Sequence, residues 1–187
     1  MEAPLRRLYV FEHDEPHLVD VPDLSFLMVD GEGDPASEVY AQTVTALMQF
    51  AAVTWRLVDR ALDAPLEGLW SGDLADRSTW RWTAMVLQPP EVSNETLAEA
   101  VGSFGSATEL ERLAEIRLER FKEGKAAQVL HRGPHAEEAP TIERLHTFLA
   151  EQGFSERGRH HEIYLTNVFD VAPEDSLTIL RQPVAPA

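Results

Sequence analysis

A run of strand, Gly/Pro turn, helix and strand occurs twice in this 187-residue chain, about a hundred residues apart, and it limits the fold more than any single motif does. In the first copy, Val21 to Val29 reads as a strand entered through Pro22. The segment Asp30-Gly31-Glu32-Gly33-Asp34-Pro35 turns the chain, with two glycines for unusual backbone angles and a proline to open the next element. Ser37 to about Arg60 is predicted helical, because Tyr40, Val44, Leu47, Met48, Ala51, Trp55 and Val58 recur at three- and four-residue spacing. Trp55 belongs to the core in this reading. A loop containing Leu66-Glu67-Gly68-Leu69-Trp70 follows, and then a strand over Trp80 to Leu87 that Gln88-Pro89-Pro90 stops.

The second copy has a strand at Ala126 to His131, a turn at Arg132-Gly133-Pro134-His135, and a helix from Thr141 to Gln152 ended by Gly153. The strand around Glu162 comes next, and Leu177 to Arg181 closes the chain as a final strand. Between the copies, Asn94, Leu97, Ala100 and Val101 suggest a short helix, with a second through Leu110, Leu113, Ile116 and Leu118. Residues 1–17 carry no core pattern and read as an arm. The remaining 18–187 form one domain of two pseudo-repeats, about 18–90 and 121–184, joined by the helical segment. The expected fold is α+β: duplicated strand-helix-strand-strand modules share an antiparallel sheet with the helices on one face. A ligand groove then lies on the opposite face, across the pseudo-twofold axis.

Charge narrows the partners. At a formal −16 the surface repels polyanions, so nucleic acid is not expected, whereas neutral or cationic small molecules are compatible with the field. The absence of cysteine excludes disulfides and thiol chemistry and fits a cytoplasmic protein. No apolar run is long enough to span a membrane, and Met1 to Arg7 lacks the apolar stretch of a secretory signal.

Arg159-His160-His161-Glu162-Ile163-Tyr164-Leu165 sets a carboxylate inside a strand. Ile163 and Leu165 point one way, apolar enough to pack on helices, and Glu162 and Tyr164 point the other. An ionised Glu on a sheet floor costs several kcal/mol unless it is paired, hydrated or used. Glu162 is therefore either a strand residue facing solvent or a neighbouring strand, or the acid of a site. Setting Glu162 to Leu165 against Ala84 to Leu87 places Trp82 on the face of Glu162, two residues upstream, as either core or groove wall.

Four segments carry a family resemblance: Leu66-Glu67-Gly68-Leu69-Trp70, Gln128 to Pro134, His160 to Leu165, and Thr178 to Pro183. Together, in this order, the chain resembles the GyrI-like small-molecule-binding domain over about residues 18–184. The resemblance implies the duplicated fold and an aromatic cleft with Glu162 at its bottom, accompanied by Tyr164, that meets planar cationic drugs. It also implies a stand-alone member. The long Leu-Glu-Gly-Leu-Trp segment and the His-x-Glu-Ile-Tyr-Leu strand look like the subset that hydrolyses the strained cyclopropane of DNA-alkylating natural products. Two other readings stay open: a non-catalytic binder of amphipathic cationic drugs, and, as the family name suggests, a module that interacts with DNA gyrase.

In this reading Glu162 is the base that takes a proton from attacking water, and Tyr164 donates to the ligand oxygen that gains charge. Trp82, Trp70 and Tyr40 line the ligand, with His160 bordering the groove and Glu67 as a second carboxylate or a turn residue. No metal and no cofactor is expected. His160 and His161 face opposite sides of a strand, and His131 and His135 straddle a turn instead of sharing a helix face. Nucleotide motifs and a nucleophile elbow are absent from the sequence.

Overall fold

The computed structural model describes residues 5, 7–10, 14–73, 76–105, 111, 113–166 and 171–187. Two compact units emerge, one of Leu24–Phe121 and one of Met1–Asp23 with Lys122–Ala187. Both are built alike, as the repeat requires, with antiparallel strands and a helix laid on one face.

In the unit Leu24–Phe121 the middle strand is β3 (Arg81–Leu87). It pairs antiparallel with β1 (His17–Glu32) from Phe26↔Leu87 to Glu32↔Arg81, and on its other edge with β2 (Leu66–Ser71) from Leu66↔Val86 to Ser71↔Arg81. A strand with partners on both edges has its backbone satisfied and its side chains enclosed, and every residue of β3 after Arg81 is buried. Helix α1 (Glu38–Leu57) is capped by Ser37, whose hydroxyl accepts from the Tyr40 amide at 3.2 Å. Its stripe of Val44, Leu47, Phe50 and Ala51 packs on Leu27, Val29, Trp82, Ala84 and Val86. Trp55 is buried as expected and donates from Nε1 to the Leu87 carbonyl at 3.1 Å. The short α2 (Asn94–Val101) opens on a capping box at Ser93 and Thr96 and buries Ala100.

Two expectations fail here. The Leu66–Trp70 segment is strand β2 and no loop, because pairing with β3 supplies the partners its backbone needs. Leu118 lies in β4 (Arg117–Arg132), so no helix runs from Leu113 through it; Leu110 falls outside the described residues.

In the unit Met1–Asp23 with Lys122–Ala187 the middle strand is β7 (Leu177–Pro186). It pairs antiparallel with β4 from Ala126↔Pro183 to Arg132↔Leu177, with β5 (Phe154–Glu156), and with β6 (His160–Tyr164) from His161↔Arg181 to Tyr164↔Thr178. Helix α3 (Ala139–Glu151) sets Leu145 and Leu149 on Ala127, Val129, Leu180 and Val184. Gly153 ends it at φ +73°, a conformation that costs glycine little. The stretch expected as a bare arm buries Leu8 and Tyr9.

The opposite face of this sheet holds charge. Glu123, His161 and Arg181 are almost wholly enclosed. Arg181 donates from Nη1 to Glu123 Oε2 at 3.1 Å, from Nε to Gln128 Oε1 at 2.9 Å, and from Nη2 to the Leu8 carbonyl at 2.9 Å. His161 Nδ1 lies 2.9 Å from Glu123 Oε1. Burial works against the charge on Glu123, but the positive His161 and Arg181 and their hydrogen bonds outweigh it and hold its carboxyl down at about 2.

Candidate functional site

Strand β6 alternates as predicted: His161 and Ile163 are buried, while His160, Glu162 and Tyr164 are partly open on the other face. Which face the helix covers is the reverse of the expectation. Glu162 stands opposite Leu180, and Leu180 packs against α3, so the acid and the phenol share the helix-bearing face. Ile163 shares its face with His161 and, across the pairing, Arg181 stands beside His161. Alternation sorts side chains into two sets without telling which set a helix will cover.

Glu162 lies near the entry to α3. Gly133 at φ +115° and Pro134 lead into a 3-10 turn (His135–Glu137), and Glu138 sits just before the helix. His131 secures this turn: its Nε2–H donates to the Pro134 carbonyl at 3.2 Å, which leaves Nδ1 to accept from the Thr141 hydroxyl at 3.0 Å. The turn presents His135, whose Nδ1 is 2.8 Å from Glu138 Oε1 and whose ring meets Tyr164 edge-on at 5.4 Å.

One oxygen of Glu162, one of Glu138 and a ring nitrogen of His135 lie within 4.8 Å of one another. A divalent ion spans such distances. Here, however, the His135 nitrogen is bonded to Glu138 and Glu162 accepts from the Tyr164 hydroxyl at 2.8 Å, so each carboxyl has a hydrogen-bond partner of its own. Glu162 is 16% exposed, and its proton affinity follows from its surroundings. Burial, then the negative Glu138, push its carboxyl up to about 8, against the Tyr164 hydrogen bond and the charges of His135 and His161. The hydrogen bond to Glu138, against burial, raises His135 above its ordinary value. His160, with Nε2 3.8 Å from Glu162 Oε1, is pushed by burial down to about 4 and is a neutral imidazole at pH 7. Sequence reasoning missed Glu138 and set His135 aside. The readable signal was an acid three residues after the His of a Gly-Pro turn, at the mouth of a helix.

The aromatic candidates gather in the other unit. Tyr40 on α1 meets Trp82 edge-on at 4.9 Å and Trp70 at 5.8 Å, and Trp70 meets Trp80 at 5.7 Å. Trp82, only 3% exposed, belongs to the core, whereas Tyr40 and Trp70 are half-buried. Glu67 is no turn residue. It is fully buried on β2 opposite Met85, and its side chain lies on the sheet face away from Trp70 and Trp82. Each unit thus assembles its own set: Glu162, Tyr164 and His160 in one, Tyr40, Trp70 and Trp82 in the other.

Comparison with known proteins places this geometry. The profile of the GyrI-like small-molecule-binding domain matches residues 14–185. An uncharacterised conserved protein of Listeria innocua is 33% identical, with a TM-score of 0.85 and 96% of each chain covered. A protein of the same organism described as a hydrolase is also 33% identical, with a TM-score of 0.82 and 97% of each chain covered. The C-terminal domain of EcmrR, at 13% identity, shares the fold, with a TM-score of 0.63 over 92% of this chain and 98% of that one. No curated protein matches the chain in sequence. No helix among the described residues is long and apolar enough to cross a membrane. By the extent of its family match and the closeness of these structures, the chain belongs to the GyrI-like small-molecule-binding domain family.

Proposed function

We propose that this protein is a hydrolase that opens strained, electrophilic rings of planar small molecules, with Glu162 as its base. The observation that carries the reading is an enclosed carboxyl on the helix-bearing face of a short strand, 2.8 Å from a phenol that donates to it, where burial pushes it up to about 8. A general base works best with a proton affinity near the working pH, and an unperturbed Glu falls well short of that. The relatives described as hydrolases, at 32–33% identity, support the same class of activity.

In the step proposed, Glu162 takes a proton from water as the water oxygen bonds to a cyclopropane carbon. The breaking carbon–carbon bond delivers its electron pair into the conjugated carbonyl, whose oxygen gains charge and then a proton. Tyr164, whose single hydroxyl proton rests on Glu162 before reaction, turns to donate to that oxygen once Glu162 has taken the proton of water. The sum is addition of one water. Only about a tenth of Glu162 is ionised at pH 7 with its midpoint near 8, so turnover should rise with pH up to that value.

The test is mass spectrometry of a duocarmycin-type cyclopropane incubated with wild type and with Glu162→Gln. Gain of one water with wild type, lost in the variant, supports the hydrolase. An unchanged mass, with binding that weakens in the variant, would instead make the protein a binder whose Glu162 is a counter-ion for cationic ligands.

A further inference from the structure

Two carboxyl groups from different elements converge in this fold, Glu162 from β6 and Glu138 from the entry to α3, with oxygens no more than 4.8 Å apart. The Glu138 side chain is 9% exposed and that of Glu162 16%, so water does little to screen them. Two carboxyls this close in an enclosed place do not both ionise readily, and one keeps a proton. Geometry selects which. Glu138 has the His135 imidazole 2.8 Å from its Oε1, a partner that favours the charged form, and this imidazole is 41% exposed and free to take up its proton from solvent. Glu162 has a neutral phenol and a neutral imidazole for near neighbours.

We infer that His135 and Glu138 are a positioning pair for Glu162: the imidazole keeps Glu138 ionised, and the charge of Glu138 fixes the remaining proton on Glu162. The inference rests on Glu162 being the working carboxyl of the site but not on what reaction it performs. Both members act through Glu162 and neither needs to touch the ligand.

The other groups facing Glu162 do not do this. Tyr164 donates to it, which favours ionisation. His160, on the same strand, stays neutral. His161 lies on the opposite sheet face, bound to Glu123, and its charge acts in the ionising direction. From β7 the facing residue is Leu180, which carries no charge, and Arg181 is spent on Glu123, Gln128 and Leu8. Glu138 is the neighbouring charge, among the described residues, that raises the proton affinity of Glu162.

The experiment is a carbon-13 titration of the full chain labelled at the glutamate side-chain carboxyls, with Glu162 assigned from Glu162→Gln. In wild type the Glu162 resonance should titrate above neutrality. In Glu138→Gln, an isosteric change, its midpoint should fall by about one pH unit or more. In His135→Ala, where a half-exposed ring is removed and the core is untouched, the two carboxyl resonances should titrate together in two shared steps. A Glu162 midpoint unmoved in Glu138→Gln would overturn the inference, since burial alone would then hold the proton. A wild-type midpoint that moves with added zinc or with chelator would also overturn it, by making the three side chains ion ligands. No ligand is used in the titration, so its failure is separable from a failure of the hydrolase reading, which the mass measurement decides.

Discussion

The Tyr164 hydroxyl donates to Glu162 Oε2 across 2.8 Å, two residues apart on one face of β6. This bond is the strongest nearby influence favouring the ionised acid. Tyr164→Phe should therefore raise the Glu162 midpoint further above 8 and lower turnover at pH 7. A hydrogen bond to a charged group is worth about 1.5–3 kcal/mol, so the expected loss is roughly 10- to 100-fold. A pH–rate profile checks both, and an unmoved rising limb would show that the phenol does not act on the acid.

Stability at high pH should also depend on Glu162. The folded chain holds its proton up to about 8, whereas an unfolded glutamate releases it near 4.5. The stability linked to that proton is fully present below 4.5 and is lost as pH rises through 8. Glu162→Gln, which stays neutral, should escape this loss and be more stable than wild type at pH 9 by roughly 1–3 kcal/mol. Urea unfolding at pH 6 and pH 9 measures it; equal pH dependence in the two proteins would contradict the raised midpoint.

Glu123 has the opposite sign. Its folded carboxyl titrates near 2 against 4.5 unfolded, so its contribution is present above 4.5 and is lost as pH falls toward 2. Glu123→Gln leaves the Arg181 guanidinium without its counter-charge and should cost about 3–5 kcal/mol at pH 7. The gap between variant and wild type should narrow by pH 3. Denaturant curves at the two pH values decide it.

Gly31 and Trp82 face each other across the β1–β3 pairing. A Cβ at Gly31 would stand 2.1 Å from Trp82 Cη2, well inside contact distance, so the indole needs a bare backbone beneath it. Gly31→Ala should destabilise by about 1–3 kcal/mol through overpacking. Trp82→Phe should relieve part of that clash, giving a favourable coupling in a double-mutant cycle of thermal melts. Purely additive effects would place the strain elsewhere.

Much of this was legible in the sequence. The helix stripe from Val44 to Trp55, the strand at Trp82 to Leu87 and the alternation around Glu162 all follow from local periodicity, and the twofold repeat gives the order of elements. Other features depend on partners far along the chain. Leu66 to Trp70 became a strand only by pairing with β3, and Glu67 was thereby drawn into the interior. The sheet face that carries Glu162 was misassigned because the apolar Ile163 looks like helix-facing core, yet it lies on the face of the His161–Glu123–Arg181 cluster. Glu138 acquires its meaning from a strand more than twenty residues away.

The carbonyl of Leu8 completes the partners of Arg181, and this sets where the domain can be cut. A recombinant fragment begun at residue 14, where the family match starts, would lose that acceptor and leave an enclosed guanidinium one bond short. The practical boundary for expression therefore lies upstream of the one that homology draws, and trimming to the homologous segment should yield a less soluble product.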